Sequence, residues 1–251
     1  MEFSAQGRLI PDQERTFEAG REQRGYFRLH PVENSLELAC RRRPEDFDNQ
    51  NCQKLAEKLR EIAQSCGDNI LSGTHLPFRL GRAKCPFGTE FKEDFWPMMA
   101  ASFETAFPGQ EVRDKSRIAV ADAAELDPTS TWRRLVERRE AGDVLGWYFP
   151  EALAGYAIPD MEKACARISP RAHVSGLSEI AYSLALFPEL LHPPGHYGRL
   201  LAVSGLRPLS ASEHHMFWFF EAYGFDLTFN CRSKIGAVSE YYSGGVTFLV
   251  D

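Results

Sequence analysis

No C-x-x-C pair occurs among the six cysteines, and no stretch approaches the roughly 20 apolar residues needed to span a bilayer. The first absence removes zinc-ribbon and thioredoxin-type readings. The second argues against a membrane protein. Residues 1–20, MEFSAQGRLIPDQERTFEAG, lack a basic segment followed by an apolar run, so no secretory signal is expected and a cytoplasmic location is. Positive charge is not in excess either: 29 Lys and Arg against 35 Asp and Glu give a net charge of −6. A nucleic-acid binder ordinarily presents a net basic face, so that role ranks last. Internal repeats and low-complexity segments are missing as well.

What is present is an ordinary globular balance, with 43% hydrophobic and 25% charged residues over 251 positions and an abundance of phenylalanine, 18 residues. Aromatic packing should therefore dominate the interior. Residues 1–24 are polar with little periodicity and read as an irregular arm. Residues 25–251 read as a single α+β domain, with a possible subregion boundary near 169–176.

The clearest helix lies between Asn51 and Gly67, where Cys52, Leu55, Ala56, Leu59, Ile62, Ala63 and Cys66 form one stripe. Asp48 or Asn49 caps its start and Gly67 its end. Both thiols fall on the stripe, so they are expected to be packing groups. Tyr26–His30 and Ser35–Arg41 flank PVEN and read as a hairpin, since Leu36, Leu38 and Cys40 alternate with polar neighbours. Arg41, Arg42 and Arg43, leaving that strand, read as solvated charges. Helices are further expected over Phe95–Phe107, from Asp127-Pro128 to about Ala141, and over Leu177–Phe187. In the second of these Trp132, Leu135 and Val136 face inward, while Arg133, Arg134, Arg138 and Arg139 read as a solvated face rather than a contact for an acidic partner.

Polar chemistry concentrates in the C-terminal third. In HPPGHYGRL the prolines exclude a helix, so His192 and His196 are not a helical i, i+4 metal pair. Pro194-Gly195 suits the centre of a type II turn, and the loop supplies no third ligand for a metal. The preferred reading is a proline-terminated helix with surface histidines. Ser210-Ala-Ser-Glu213 matches a capping box, which predicts a helix from Ala211 to Tyr223 carrying His214, His215 and the buried run Phe217–Phe220. Seven residues of helix would hold His214 and Glu221 about 10 Å apart, too far for a direct pair. In the strand Phe225–Arg232, Asp226, Thr228, Asn230 and Arg232 share one face. Gly244 and Gly245 allow a close backbone approach or a bulge before the terminal strand VTFLV.

The expected architecture is α+β: a mostly antiparallel sheet from the N-terminal hairpin and the C-terminal strands, packed with about five helices. Two functional readings follow. The first is an enzyme acting on a small polar or anionic substrate by acid–base or hydrogen-bond catalysis, without an obligatory cofactor or a metal. Its catalytic candidates are His214, His215, His196, Glu240 and Tyr241, and its substrate-binding candidates are His192, Arg199, Asp226, Asn230, Arg232, Gly244 and Gly245. The second is a non-catalytic protein that engages a protein partner through an aromatic and arginine-bearing surface. A concave pocket of convergent polar groups marks the first; an open apolar patch marks the second.

Overall fold

The computed structural model describes residues 2–17, 25–233 and 238–250. Its centre is a mixed eight-stranded sheet. The strands are β1 Leu76–Leu80, β2 Val112–Asp114, β3 Val144–Ala154, β4 Ala172–Val174, β5 Leu200–Val203, β6 Met216–Tyr223, β7 Asp226–Ser233 and β8 Tyr242–Leu249. They lie in the order β1-β3-β8-β5-β6-β7-β2, with β4 also paired to β8. The longer helices are α1 Ser35–Arg42, α2 Asn49–Cys66, α3 Trp96–Ala106, α4 Arg133–Ala141, α5 Met161–Ile168 and α6 Leu177–Leu186. The class is α+β. No helix among the described residues is long and apolar enough to cross a membrane.

Strand β8 organises the sheet. One of its edges pairs antiparallel with β3 from Ser243 to Leu249. The other edge is shared: Tyr242–Gly244 run parallel to β5, and Val246–Phe248 run antiparallel to β4. The register shifts between Gly244 and Val246. Both glycines are required there by contact. A Cβ on Gly244 would lie 2.4 Å from Met161 Sδ, and one on Gly245 would lie 2.2 Å from the Tyr148 ring. The bulge anticipated at this pair is thus present, but its purpose is packing.

Helix α2 matches its sequence reading, with Asn51 N–H donating to Asp48 Oδ1 at 2.7 Å and Leu55, Ile62 and Cys66 buried. All six cysteines are free thiols. Burial pushes up the Cys66 thiol, and burial with the neighbouring Cys40 thiol pushes Cys52 up to about 12. These are packing groups with little thiolate character. Within the N-terminal segment, Phe3 and Leu9 are buried, and Leu9 N–H donates to Ala152 O on β3 at 2.8 Å. Positions 1 and 18–24 of the predicted arm lie outside the described residues.

Three expectations are corrected. The N-terminal hairpin does not form: Ser35–Arg42 is helical, and Phe27–Arg28 pair in parallel with Tyr197–Gly198. Ser35 and Ala39, one helical turn apart, are the buried positions of α1. The alternation in LELAC therefore satisfied a period of two only by coincidence of length. The second correction concerns 211–223. Only Ala211–Glu213 forms a 3-10 turn, after which the chain is extended as β6. Phe217, Trp218, Phe219 and Phe220 are each at most 1% exposed, as foreseen, but they alternate between two buried faces of a strand. Gly224 and Phe225, at φ +60° and +79°, turn the chain into β7 as a type I′ hairpin.

The third correction is Arg139. Far from solvated, its guanidinium is 5% exposed and pairs with the 7% exposed Glu90 through two bonds, 2.5 and 2.8 Å. It also donates to Gly81 O beyond β1 at 2.9 Å and to Ser178 Oγ in α6 at 3.3 Å. Glu90 immediately precedes a π-helical turn, Phe91–Phe95, that leads into α3. One cation thus joins α4, β1, α6 and the start of the α3 segment. The remaining arginines of α4 behave differently: Arg133 pairs loosely with Glu137 at 3.6 Å, and Arg134 and Arg138 reach backbone carbonyls. Arg41, Arg42 and Arg43 pair with Glu37, Glu189 and Glu45.

Removing one partner of the buried pair leaves an uncompensated charge. Glu90→Ala should therefore cost about 3–5 kcal/mol in urea unfolding, and the double variant Glu90→Leu/Arg139→Met markedly less. Equal losses in both would show that packing, not the stranded charge, sets the cost.

Candidate functional site

A cleft of 560 Å³ brings together five segments distant in the sequence. His214 and His215 follow the 3-10 turn, and their exposed imidazoles sit at the cleft with Phe217, the first buried ring of β6. Facing elements supply carboxylates. Asp127 lies in the turn before α4, where its Oδ1 accepts Thr129 N–H at 2.9 Å and Thr129 O–H at 2.7 Å. That turn displaces the start of the helix from Pro128 to Arg133. Glu162 occupies the first turn of α5, and its carboxylate accepts Thr131 N–H at 3.2 Å and Thr131 O–H at 3.0 Å. Burial, reinforced by nearby Asp127, outweighs these bonds and raises the Glu162 carboxyl above its ordinary value of 4.5. Arg15 completes the rim, its Nε 2.9 Å from Asp160 Oδ2.

The wall formed by Val203–Leu206 is set by ring contact. Gly205, at φ +85°, approaches Trp132 so closely that a Cβ would fall 2.7 Å from Trp132 Cβ. Trp132 is itself fixed, its Nε1–H donating to Glu179 Oε2 at 3.0 Å. The cleft therefore has a packed back wall and exposed imidazoles at its mouth.

Other predicted residues gather elsewhere. Glu221, 4% exposed on β6, is the focus of a second cluster. The Tyr241 hydroxyl donates to Glu221 Oε2, and Asn230 Nδ2 and Arg232 Nη2 each approach its carboxylate at 3.4 Å. The Arg232 guanidinium also lies 4.4 Å over the Phe219 ring. Burial and then the Glu221 bond push the Tyr241 hydroxyl upward. Opposed pairs Phe217–Arg232, Phe219–Asn230 and Glu221–Thr228 place these groups on one face of the hairpin. Tyr241, Asn230 and Arg232 thus converge, on a carboxylate that the sequence reading had weighed only against His214.

Arg199, 2% exposed, donates to Glu240 O and lies 3.2 Å from Glu151 Oε1, which Arg8 also approaches at 3.5 Å. Glu240 is buried beside it. Asp226 accepts Glu111 N–H at 3.1 Å and pairs with Arg113 at 3.0 Å. Gly244 and Gly245 lie inside the sheet under Met161 and Tyr148.

The HPPGH loop is a type II turn, with Gly195 at φ +70° and His196 N–H donating to Pro193 O at 3.3 Å. His192 packs against Phe103 and Phe107, with Nε2 3.0 Å from Phe225 O, and burial lowers its pKa. His196 is exposed. Phe225 belongs to the β6–β7 turn, whereas His215 precedes the opposite end of β6. Eight strand residues separate them, roughly 25 Å. The loop buttresses the hairpin and does not reach the histidine cleft.

A larger cavity, 1220 Å³ between α1 and α2, is walled by Val32, Leu36, Leu59 and Leu71. His75 in it is engaged, with Nδ1 2.9 Å from Gly73 O and its ring against Trp147 and Phe149. Among the described residues, no group of three or more His, Cys, Asp or Glu side chains is placed to hold a metal. Compared with protein-family models, curated proteins and solved structures, the chain matches none.

Glu162, Asp127 and Arg15 were missed because each comes from a different segment, and nothing in their local sequence marks them. The raised Glu162 carboxyl has a measurable consequence. A carboxyl whose folded pKa lies above its unfolded one adds stability that is complete below pH 4.5 and is lost as pH rises through the folded value. Denaturation from about pH 4 to pH 8 should therefore show wild type losing ground to Glu162→Gln across that window. Parallel profiles would contradict the assignment.

Proposed function

We propose that the 560 Å³ cleft binds a small polar or anionic molecule and that His214 and His215 exchange protons with it. The observation that carries this reading is the pairing of two exposed imidazoles with a half-buried carboxyl of raised pKa across one cleft. Two titratable groups in unlike environments divide acid and base roles between them. An imidazole takes a proton from the substrate, and Glu162, holding its own proton to higher pH, returns one on the opposite side. Arg15, paired with Asp160, keeps further N–H donors at the rim for a polar group. The trough between α1 and α2 is larger, but the imidazole in its lining, His75, is already engaged by Gly73 O.

Thermal-shift screening of the full chain against short dicarboxylates and sugar phosphates tests the reading, because a ligand raises apparent stability by mass action. The double variant His214→Ala/His215→Ala should abolish the ligand shift while unfolding at the wild-type temperature. A ligand shift unchanged in that variant sinks the proposal.

One observation favours the non-catalytic alternative. At the tip of the β6–β7 hairpin, Tyr223 and Phe225 are 65% and 75% exposed, and Phe225 holds a left-handed conformation. Strain retained at an exposed aromatic ring is a feature of recognition loops. Phe225→Gly should stabilise the free chain by about 1 kcal/mol in chemical denaturation. Loss of stability on that substitution would remove the strain argument and with it this reading.

A further inference from the structure

We propose that a second pocket, of 420 Å³ and lined by Arg134, Arg138, Arg171 and His173, binds the dianionic phosphoryl group of a small phosphomonoester. It is separate from the histidine cleft and shares no lining residue with it.

The cationic character is built from two elements. Arg134 and Arg138 stand one helical turn apart on α4, an arrangement of like charges that is unfavourable unless something offsets it. Arg171 ends the turn before β4, and His173 is the middle residue of that strand. The lining includes one carboxylate, Glu137, which is 60% exposed and already 3.6 Å from Arg133. A chain with net charge −6 has thus gathered three guanidiniums around one pocket.

Two of these guanidiniums are positioned by backbone. Arg134 Nη1 donates to Pro170 O, and Arg138 Nη2 to Val250 O at 3.3 Å. Each guanidinium carries five N–H donors, so both keep donors for an oxyanion.

His173, in the pocket lining, is placed to report on its occupancy. It is 4% exposed, and its buried Nδ1 has no hydrogen-bond partner. A buried polar atom without a partner costs free energy, and such sites call for an explanation. Burial, followed by the charges of Arg134 and Arg138, lowers its pKa to about 4. The ring is therefore neutral at pH 7. Charged groups face it from α4, as Arg134, Glu137 and Arg138, and from the turn before its own strand, as Arg171; β8 contributes the apolar Leu249. A dianion in the pocket would offset the guanidinium field and raise the imidazole pKa. Pro170, Ala141 and Leu249 give the pocket an apolar side suited to the organic part of an ester.

The test uses the full chain, with inorganic phosphate and phenyl phosphate as separate probes followed by NMR of the histidine rings. Saturable shifts at His173 are expected, with its titration midpoint raised by about one pH unit. Arg134→Gln and Arg138→Gln should each weaken binding roughly tenfold while leaving the unfolding temperature unchanged. Tighter binding of phenyl phosphate supports an ester ligand. Equal binding of the two supports the phosphoryl site with free phosphate as its source. A response confined to His214 and His215, a response that never saturates, or binding of a DNA oligonucleotide without either phosphate probe overturns the proposal.

Discussion

The carboxyl group of Glu179 has no contact with water, and much of the molecule is arranged around satisfying it. Gly176 N–H donates to it at 2.6 Å, Trp132 Nε1–H at 3.0 Å and Thr247 O–H at 3.4 Å. Ser175 extends the chain through its hydroxyl contact with Thr247 at 2.9 Å. Burial drives the carboxyl pKa upward, and the donors oppose that drive. A buried polar network is stabilising only when each member is partnered, so the positions of α6, β8 and Trp132 are fixed together. Trp132 then transmits this constraint. Its ring fills the space where Gly176 and Gly205 have no side chain, and Gly205 belongs to the wall of the histidine cleft. A candidate site at the surface is thus held in shape by a carboxyl in the core.

Polar function in this fold is dispersed. The Glu221 cluster lies on one face of the β6–β7 hairpin, the histidine cleft at the start of β6, and the arginine pocket beside β4. The opposite face of the hairpin is aromatic: Phe229 packs 5.0 Å from Phe91 and 4.8 Å from Phe220, ring centre to ring centre. The π-helical turn that carries Phe91 also follows Glu90, so the aromatic layer and the buried ion pair share one backbone irregularity.

How far the sequence could be read depended on whether a signal was local. Helix α2 was legible because cap, stripe and terminating glycine all lie within its own length. The HPPGH turn and the polar face of β7 were legible for the same reason. Segment 211–223 was not. A run of four aromatics is apolar at every position, so it has no periodicity to separate strand from helix, and the pairing that decides the matter comes from β5 and β7. Arg139 looked like its neighbours because burial of one arginine in a charged helix depends on Glu90, far away in the chain. The site divided likewise: His214 and His215 could be nominated from their residue type, whereas Glu162 and Asp127 acquire meaning only when the chain brings them opposite. Asn230, Arg232 and Tyr241 were nominated without the Glu221 carboxylate that unites them.

The shared edge of β8 bears on how the molecule assembles. Its partners, β3, β4 and β5, all precede it in the chain. Without β8, the sheet falls into two unconnected pieces, β1-β3 and β5-β6-β7-β2, with β4 unpaired. During synthesis each piece emerges from the ribosome bearing a bare edge where β8 will lie, and such edges invite pairing with other chains. Insertion of a late strand between two early ones demands contacts of long sequence separation, which slows folding. The nascent chain therefore spends its most vulnerable interval waiting for residues 242–249.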